Sequence, residues 1–388
     1  MATLRNSKLY LLIVNGFISA FGPFVTDFYL PALPALNQYF NTTASLVQLS
    51  LTFGLVGLAV GQLIVGPLSD KYGRKRPLVL SLVVFCVSTL GCLFSPNIYL
   101  FIVFRLLQGV AGAGGVVISR SIAADIYEGN ELTKFFSMLS AVQGIAPICA
   151  PVLGGLMLGI TDWKGIFWIL LVIGVALWVA LIFFKESLDV DKRHKGNVLA
   201  TFSNFIPVLR HRRFMRFVLV QALAMGVMFT YIAASPFIFQ EYFGTSPVVY
   251  SLCFGINALG IMGGSFAVAL FRDTLAALKV GAAGFCAMSV VVAAILMVSP
   301  SLMAVEVSLF LMLVFLGLIM PSSTSLALNL QRDNSGSASA MLGFLSFLAG
   351  GILSPLTGMG NMLYTTGIIM VACSISSLVC TFAGFRRR

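Results

Sequence analysis

The chain has 388 residues, 59% of them apolar and only 10% charged, and a mean hydropathy of +1.00. A soluble domain carries roughly a quarter charged residues, so the composition excludes a water-soluble fold and points to a polytopic membrane protein. The formal net charge of +11 does not imply a nucleic-acid partner, because the basic residues sit in short connections between apolar runs and form no folded basic face.

Charge and turn residues divide the chain into apolar stretches at 9–34, 45–68, 78–95, 98–124, 135–160, 165–184, 215–240, 247–271, 279–298, 302–326, 337–358 and 363–385. These are about twelve segments of the ~20 residues needed to cross a hydrocarbon core. The first run, Leu9–Leu33, exceeds the ~7–15-residue apolar core of a cleavable signal and reads as a retained span. Pro23 within it cannot donate to the carbonyl of Ser19, which predicts a bend. Between the second and third runs lies a tight basic knot, Lys71 to Arg76, within Gly66-Pro-Leu-Ser-Asp-Lys-Tyr-Gly-Arg-Lys-Arg-Pro77. Later connections are short turns, such as Ser95-Pro-Asn97 and Ser299-Pro-Ser301.

Basic residues recur on every second connection: Arg5 and Lys8, then Lys71, Arg74, Lys75 and Arg76, the run Lys185 to Arg216, Arg272 and Lys279, Arg332, and Arg386-Arg387-Arg388. On the opposite side only Thr161–Lys164 carries a basic residue, beside Asp162. This asymmetry predicts that both termini are cytoplasmic. The longest polar stretch lies near the middle, predicting an N-terminal six-helix bundle at 1–190, a cytoplasmic linker at 191–213 and a C-terminal six-helix bundle at 214–388. Such halves suit a transporter whose substrate site lies between rocking bundles.

The seven cysteines all fall in apolar runs without CxxC spacing and read as small buried side chains, with no metal site expected. His194 and His211 lie in the polar stretch and read as solvated loop residues. Asp27 is different: about 27 Å along the first span, it is an acid within a long apolar run. A carboxylate away from water persists only if paired or protonated, which makes Asp27 the candidate for proton coupling; the alternative is a boundary acid in a wide outer vestibule. Arg105, also inside an apolar run, must face the interior and find a partner. It serves either as an anchor between helices or in coupling to a protonatable carboxylate. Glu306 either enters the tenth span or sits at its outer end, and Glu241 similarly closes the seventh. Phe24, Tyr29, Tyr231 and Phe237 flank the proline-bent parts of the first and seventh spans and are the candidate lining of a substrate cavity. Flat apolar walls with one acid suit lipophilic, often cationic, molecules.

The basic knot resembles the loop between the second and third spans of the major facilitator superfamily. The resemblance implies that Asp70, Gly73 and Arg74 form a conformational latch, with Asp125 at the end of the fourth span as an added partner; a purely topological role is the alternative. Arg105-Leu-Leu-Gln108-Gly109 resembles the same superfamily's fourth span. In the fifth span, Pro147, Pro151, Gly154 and Gly155 resemble its antiporter segment, although Ala150 stands where that pattern has glycine, and a structural hinge would also account for them. Asp27-Phe-Tyr29-Leu30-Pro31, Ser235-Pro236-Phe-Ile-Phe and Ala338-Ser339-Ala340 are similar to the bicyclomycin-resistance group of drug:proton antiporters, while Pro321-Ser-Ser-Thr-Ser325 departs from it.

The resemblance implies an all-α membrane protein of about 12 helices in two six-helix bundles, in a bacterial inner membrane, acting as a monomer. It implies proton-coupled efflux of small lipophilic molecules by alternating access, with the proton as coupling ion, no other cofactor and no nucleic-acid partner. Export of an endogenous metabolite such as an amino acid is the alternative cargo. An enzyme would need a catalytic constellation, and no HExxH, P-loop or nucleophile elbow occurs. A receptor or structural protein would need a larger extramembrane domain than the longest polar stretch of about thirty residues.

Overall fold

Helices begin where polar capping residues meet the apolar runs. Ser7, Asn97, Asp162, Ser246 and Ser301 each accept from a backbone N–H two or three residues on, at 2.9–3.4 Å, satisfying a donor that a first helical turn leaves over. In this computed structural model the described residues are 7–127, 129–193, 205–331 and 335–383. Arg5, His194, Arg332, Arg386–Arg388 and the linker segment 194–204 lie outside them.

The chain forms two units. The first comprises Met1–Tyr29 and Phe53–Thr201, the second Leu30–Thr52 and Phe202–Arg388. Leu30–Thr52 groups with the second unit although it precedes Phe53 in the chain. The reason is bonding: Gln48 Nε2 donates to the Ala233 carbonyl (3.0 Å), Ser45 Oγ to the Pro355 carbonyl (3.2 Å), and the Thr52 and Ser354 hydroxyls lie 3.1 Å apart.

The first unit contains α1 (Lys8–Asp27), the inner part of α3 (Ala44–Tyr72), α4 (Lys75–Leu93), α5 (Ile98–Ile126), α6 (Gly129–Leu158) and α7 (Trp163–Ala180). α1 packs on α5 and α6, and α4 on α5 and α7. The second contains α2 (Leu33–Tyr39), α8 (Phe205–Arg210), α9 (Arg212–Phe237) with a π-helical turn at Ile238–Tyr242, α10 (Pro247–Ala267), α11 (Thr274–Val298), α12 (Leu302–Asn329), α13 (Ser335–Leu353) and α14 (Met362–Ala383). There α12 packs on α10 and α11, and α9 on α12, α13 and α14.

Among the described residues ten helices are long and apolar enough to cross a membrane, and the pair Tyr10–Gly22 and Phe24–Tyr39, meeting at 42°, makes eleven. The bend falls at Pro23, where the missing donor predicts it. α6, with 30 residues and a length of about 45 Å, is a further long helix whose apolar part is the shorter stretch Ile145–Leu158. The two units repeat one packing device. A side chain on Gly109 of α5 would collide with the Gly54 carbonyl of α3, and one on Gly317 of α12 with the Ile261 carbonyl of α10. Hydrogen at these positions lets helix backbones approach in contact, which is how packing is gained where lipid supplies no hydrophobic drive.

Candidate transport site

Asp27 is the last residue of α1. Its carboxylate is 8% exposed and accepts from the neighbouring Thr26 hydroxyl at 2.8 Å. Among the described residues no lysine or arginine pairs with it.

Arg105 is fully buried in α5, and its partners are not a carboxylate. One guanidinium nitrogen donates to Gln108 Oε1, another to the Val25 carbonyl at 3.0 Å, and the charge lies 4.0 Å from the centre of the Tyr29 ring. The Val25 carbonyl belongs to the last turn of α1, where carbonyls lack helical partners, and it carries the partial negative charge of a helix C-terminus. Gln108 is held in turn by donating to the Thr89 hydroxyl of α4 at 2.7 Å, and Thr89 donates to the Phe85 carbonyl at 2.7 Å. Arg105 therefore ties α5 to the end of α1, two residues before Asp27, without an ion pair to it. Of the two readings of Arg105, the geometry displays the anchor. A desolvated cation over a ring gains about 2 kcal/mol, which helps offset the burial of the charge.

The four aromatic candidates divide between the units. In the first, Phe24 rests beside Phe28, with ring centres 6.0 Å apart, while Tyr29 is fully buried against Arg105 and Phe167. In the second, Phe237 is buried and Tyr231 stacks on Phe254 with centres 5.6 Å apart.

The basic knot builds a network. Gly73 takes φ +87°, a left-handed conformation that glycine adopts freely, and turns the chain from α3 into α4. Arg74, 6% exposed, pairs with Asp70 and grips Asp125 with two nitrogens, Nε at 2.8 Å and Nη2 at 3.2 Å. Asp70, Arg74 and Asp125, expected as partners, are thus brought together. Burial disfavours the Arg74 charge, but the bonds and charges of Asp125 and Asp70 outweigh it and hold its pKa above the ordinary arginine value.

Two residues after the sixth span were missed. Glu186 accepts from the backbone N–H of Arg74 (2.8 Å) and of Lys75 (3.1 Å), capping α4 from a distant segment, and the Ser187 hydroxyl donates to Asp125 Oδ2 at 3.0 Å. In sequence Glu186 is one of three closely spaced acids, with Asp189 and Asp191, in the central polar stretch, and nothing there singles it out. Lys75, read as a topology determinant, also donates to the Ile182 and Phe184 carbonyls past the end of α7.

Pro147 and Pro151 lie inside α6 without ending it. A side chain on Gly154 would meet the Phe28 carbonyl, so α6 passes α1 in close contact next to Asp27; Gly155 is also buried. Glu306 lies within α12, and Asn257 Nδ2 donates to its Oε2 at 3.1 Å.

Residues 12–355 match the sequence profile of the Major Facilitator Superfamily. The chain belongs to this superfamily. The YdgK protein of Bacillus subtilis, described as an uncharacterized MFS-type transporter, is 37% identical over 376 residues, covering 93% of this chain and 94% of its own. A bicyclomycin resistance protein homolog of Haemophilus influenzae is 24% identical over 403 residues, covering 99% of both chains. Among solved structures, a bacterial homolog of the human lysosomal transporter Spinster superposes with a TM-score of 0.75 over 98% of each chain at 16% identity, a likeness of fold. The superfamily is one of transporters, so the all-α, multi-pass membrane architecture is that of a small-molecule carrier.

Proposed function

We propose that this transporter exports lipophilic small molecules in exchange for protons, with Asp27 as the proton-carrying group. The observation that carries the reading is the environment of Asp27: a buried carboxylate at the end of the first span, bonded by a neighbouring hydroxyl and without a cationic partner among the described residues. Such a group is best accommodated in its neutral form when closed from water and in its charged form when a cation or water reaches it. That alternation is what couples a proton to a cargo. Likeness to a bicyclomycin resistance protein homolog supports drugs as cargo.

In this reading Arg105 positions the end of α1. Phe24, Tyr29, Tyr231 and Phe237 supply apolar surface to the cargo, and the α6 segment of Pro147, Pro151, Gly154 and Gly155 gives the helix its hinge. The Asp70–Arg74–Asp125 network with Gly73 is a latch that opens and closes as the halves rock. Both termini face the cytoplasm of a bacterial cell, and the chain works as a monomer in the inner membrane.

The test is proton movement in everted vesicles, followed with a pH-gradient dye while lipophilic drugs are added, comparing the parent chain with Asp27→Asn at matched expression. Drug-induced loss of the gradient in the parent alone is the expected result. Equal responses would remove Asp27 from the coupling path, and no response to any drug would turn attention to an endogenous metabolite as cargo.

A further inference from the structure

The second unit holds its own buried carboxylate, for which the Asp27 reading has no use. Glu306 is not a helix-end acid: α12 begins at Leu302 with Ser301 as its cap, and Glu306 lies past the first turn, partly buried. Asn257 of α10 is 1% exposed and Tyr231 of α9 is 4% exposed. Three spans therefore each bring one polar side chain to the same place. Asn257 Nδ2 donates to Glu306 Oε2 and to the Tyr231 hydroxyl, both at 3.1 Å.

Counting donors against acceptors shows what is missing. An asparagine amide has two N–H groups, and both are used. Glu306 Oε1 and Asn257 Oδ1 are buried and have no partner. Two unpartnered acceptor oxygens on bonded residues, one of them on a carboxylate, form a site short of a positive hydrogen-bond donor. No lysine or arginine among the described residues pairs with Glu306. Among the described residues Tyr231 and Cys253 interact with it, and Tyr250 lies near Tyr231; all three are neutral in their ordinary forms at physiological pH.

Charge balance selects the ligand: Glu306 is held by a neutral amide and has no lysine or arginine partner among the described residues, so a proton is the smallest species that removes its charge inside the bundle.

We propose that Glu306, Asn257 and Tyr231 form a second proton-binding site, with the proton carried on Glu306 and Asn257 as its positioning residue. In the charged state Asn257 serves Glu306 and Tyr231 through its two N–H groups. When Glu306 takes a proton, its new O–H is a donor, and turning the amide over presents Oδ1 to accept from both the carboxyl and the tyrosine hydroxyl. One side chain thus bonds Glu306 in both protonation states without a lysine or arginine. The site deepens the proton-coupled reading and rests on it for its role in transport, but its protonation is measurable without any transport.

The experiment is infrared difference spectroscopy of the purified transporter across a pH titration, on the parent chain, Glu306→Gln, Asp27→Asn and Asn257→Ala. The expected result is a protonated-carboxyl band that titrates in the parent and in Asp27→Asn and is missing from Glu306→Gln. Its midpoint shifts in Asn257→Ala, which keeps the carboxyl but removes the amide. Thermal unfolding of each variant establishes that it is folded. Should Glu306→Gln not fold, the parent is measured after carbodiimide treatment, with the adduct located at Glu306 by mass spectrometry and the band lost with it. A band titrating in Asp27→Asn that persists when Glu306→Gln is added to it, or no band beyond that of Asp27, overturns the proposal. So does loss of the band on adding sodium at fixed pH, which would make the site one for a metal cation. Failure of drug-driven proton movement with the Glu306 band intact would overturn the export reading and leave this site standing.

Discussion

The connection between α3 and α4 and its counterpart between α10 and α11 hold the same place in the two six-helix repeats, and each carries an acid and basic residues. They are built differently. In the first, Arg74 is buried between Asp70 and Asp125, and Glu186 caps the next helix from a remote segment. In the second, Arg272 and Asp273 are exposed, and Asp273 caps α11 by accepting from the Leu275 N–H at 3.2 Å. Repeated charge suffices to orient both hairpins in the membrane, whereas a network also needs acids that arrive from other helices. Asp125 and Glu186 do so in one repeat. The second connection has an acid only within its own turn.

Arg74→Ala is the strongest way to break this contrast. It leaves Asp125, held by two of the guanidinium nitrogens, without its cation in a mostly buried position. Loss of one partner from such a pair costs about 3 kcal/mol or more, so thermal unfolding in detergent should shift down clearly, and the rate of drug-driven proton movement should change with it. Arg272→Ala in the second repeat should leave the melting curve in place. Equal shifts would show that both loops act through topology alone.

Gly73→Ala comes next. The left-handed backbone disfavours any side chain, and a new Cβ would press on the Glu186 carboxylate and lie 2.9 Å from Arg193 Nη2. The expected loss is roughly 1–2 kcal/mol, read from the same unfolding curves, and Glu186→Ala should relieve part of it by removing the obstacle. Asp273→Ala should have the smallest effect, about 1 kcal/mol, the ordinary value of one N-cap bond. It should leave drug-driven proton movement unchanged, since nothing but its own helix depends on it.

Asp70, Arg74 and Asp125 were legible as partners through the resemblance of the basic knot to the superfamily's loop, with Asp125 added as an acid at a span end. Glu186 was not, because it reaches Arg74 across 112 residues and looks in sequence like one more charge in the central stretch. Arg105 was readable as a buried cation in need of a partner. That the partners are a helix-end carbonyl, an amide and a ring, rather than Asp27, depends on how α1 ends beside α5. Asn257 was passed over because a lone asparagine in the run from Leu252 to Ala267 carries no pattern, and its importance appears only beside Glu306 and Tyr231.

The all-α, multi-pass character, the helix caps, the bend at Pro23 and the charge asymmetry of the connections follow from the sequence by itself, because each depends on burial in lipid or on bonds within a few residues. The tertiary structure alone decided which polar groups meet and which are left over. Near Glu306 two acceptors face no donor because three separate helices converge there, and near Arg74 the acids come from three segments of the chain. Hydrogen-bond and charge balance inside a membrane is a property of the packed helices together, since with no water to complete it, every oxygen must be matched by whichever neighbour the fold supplies.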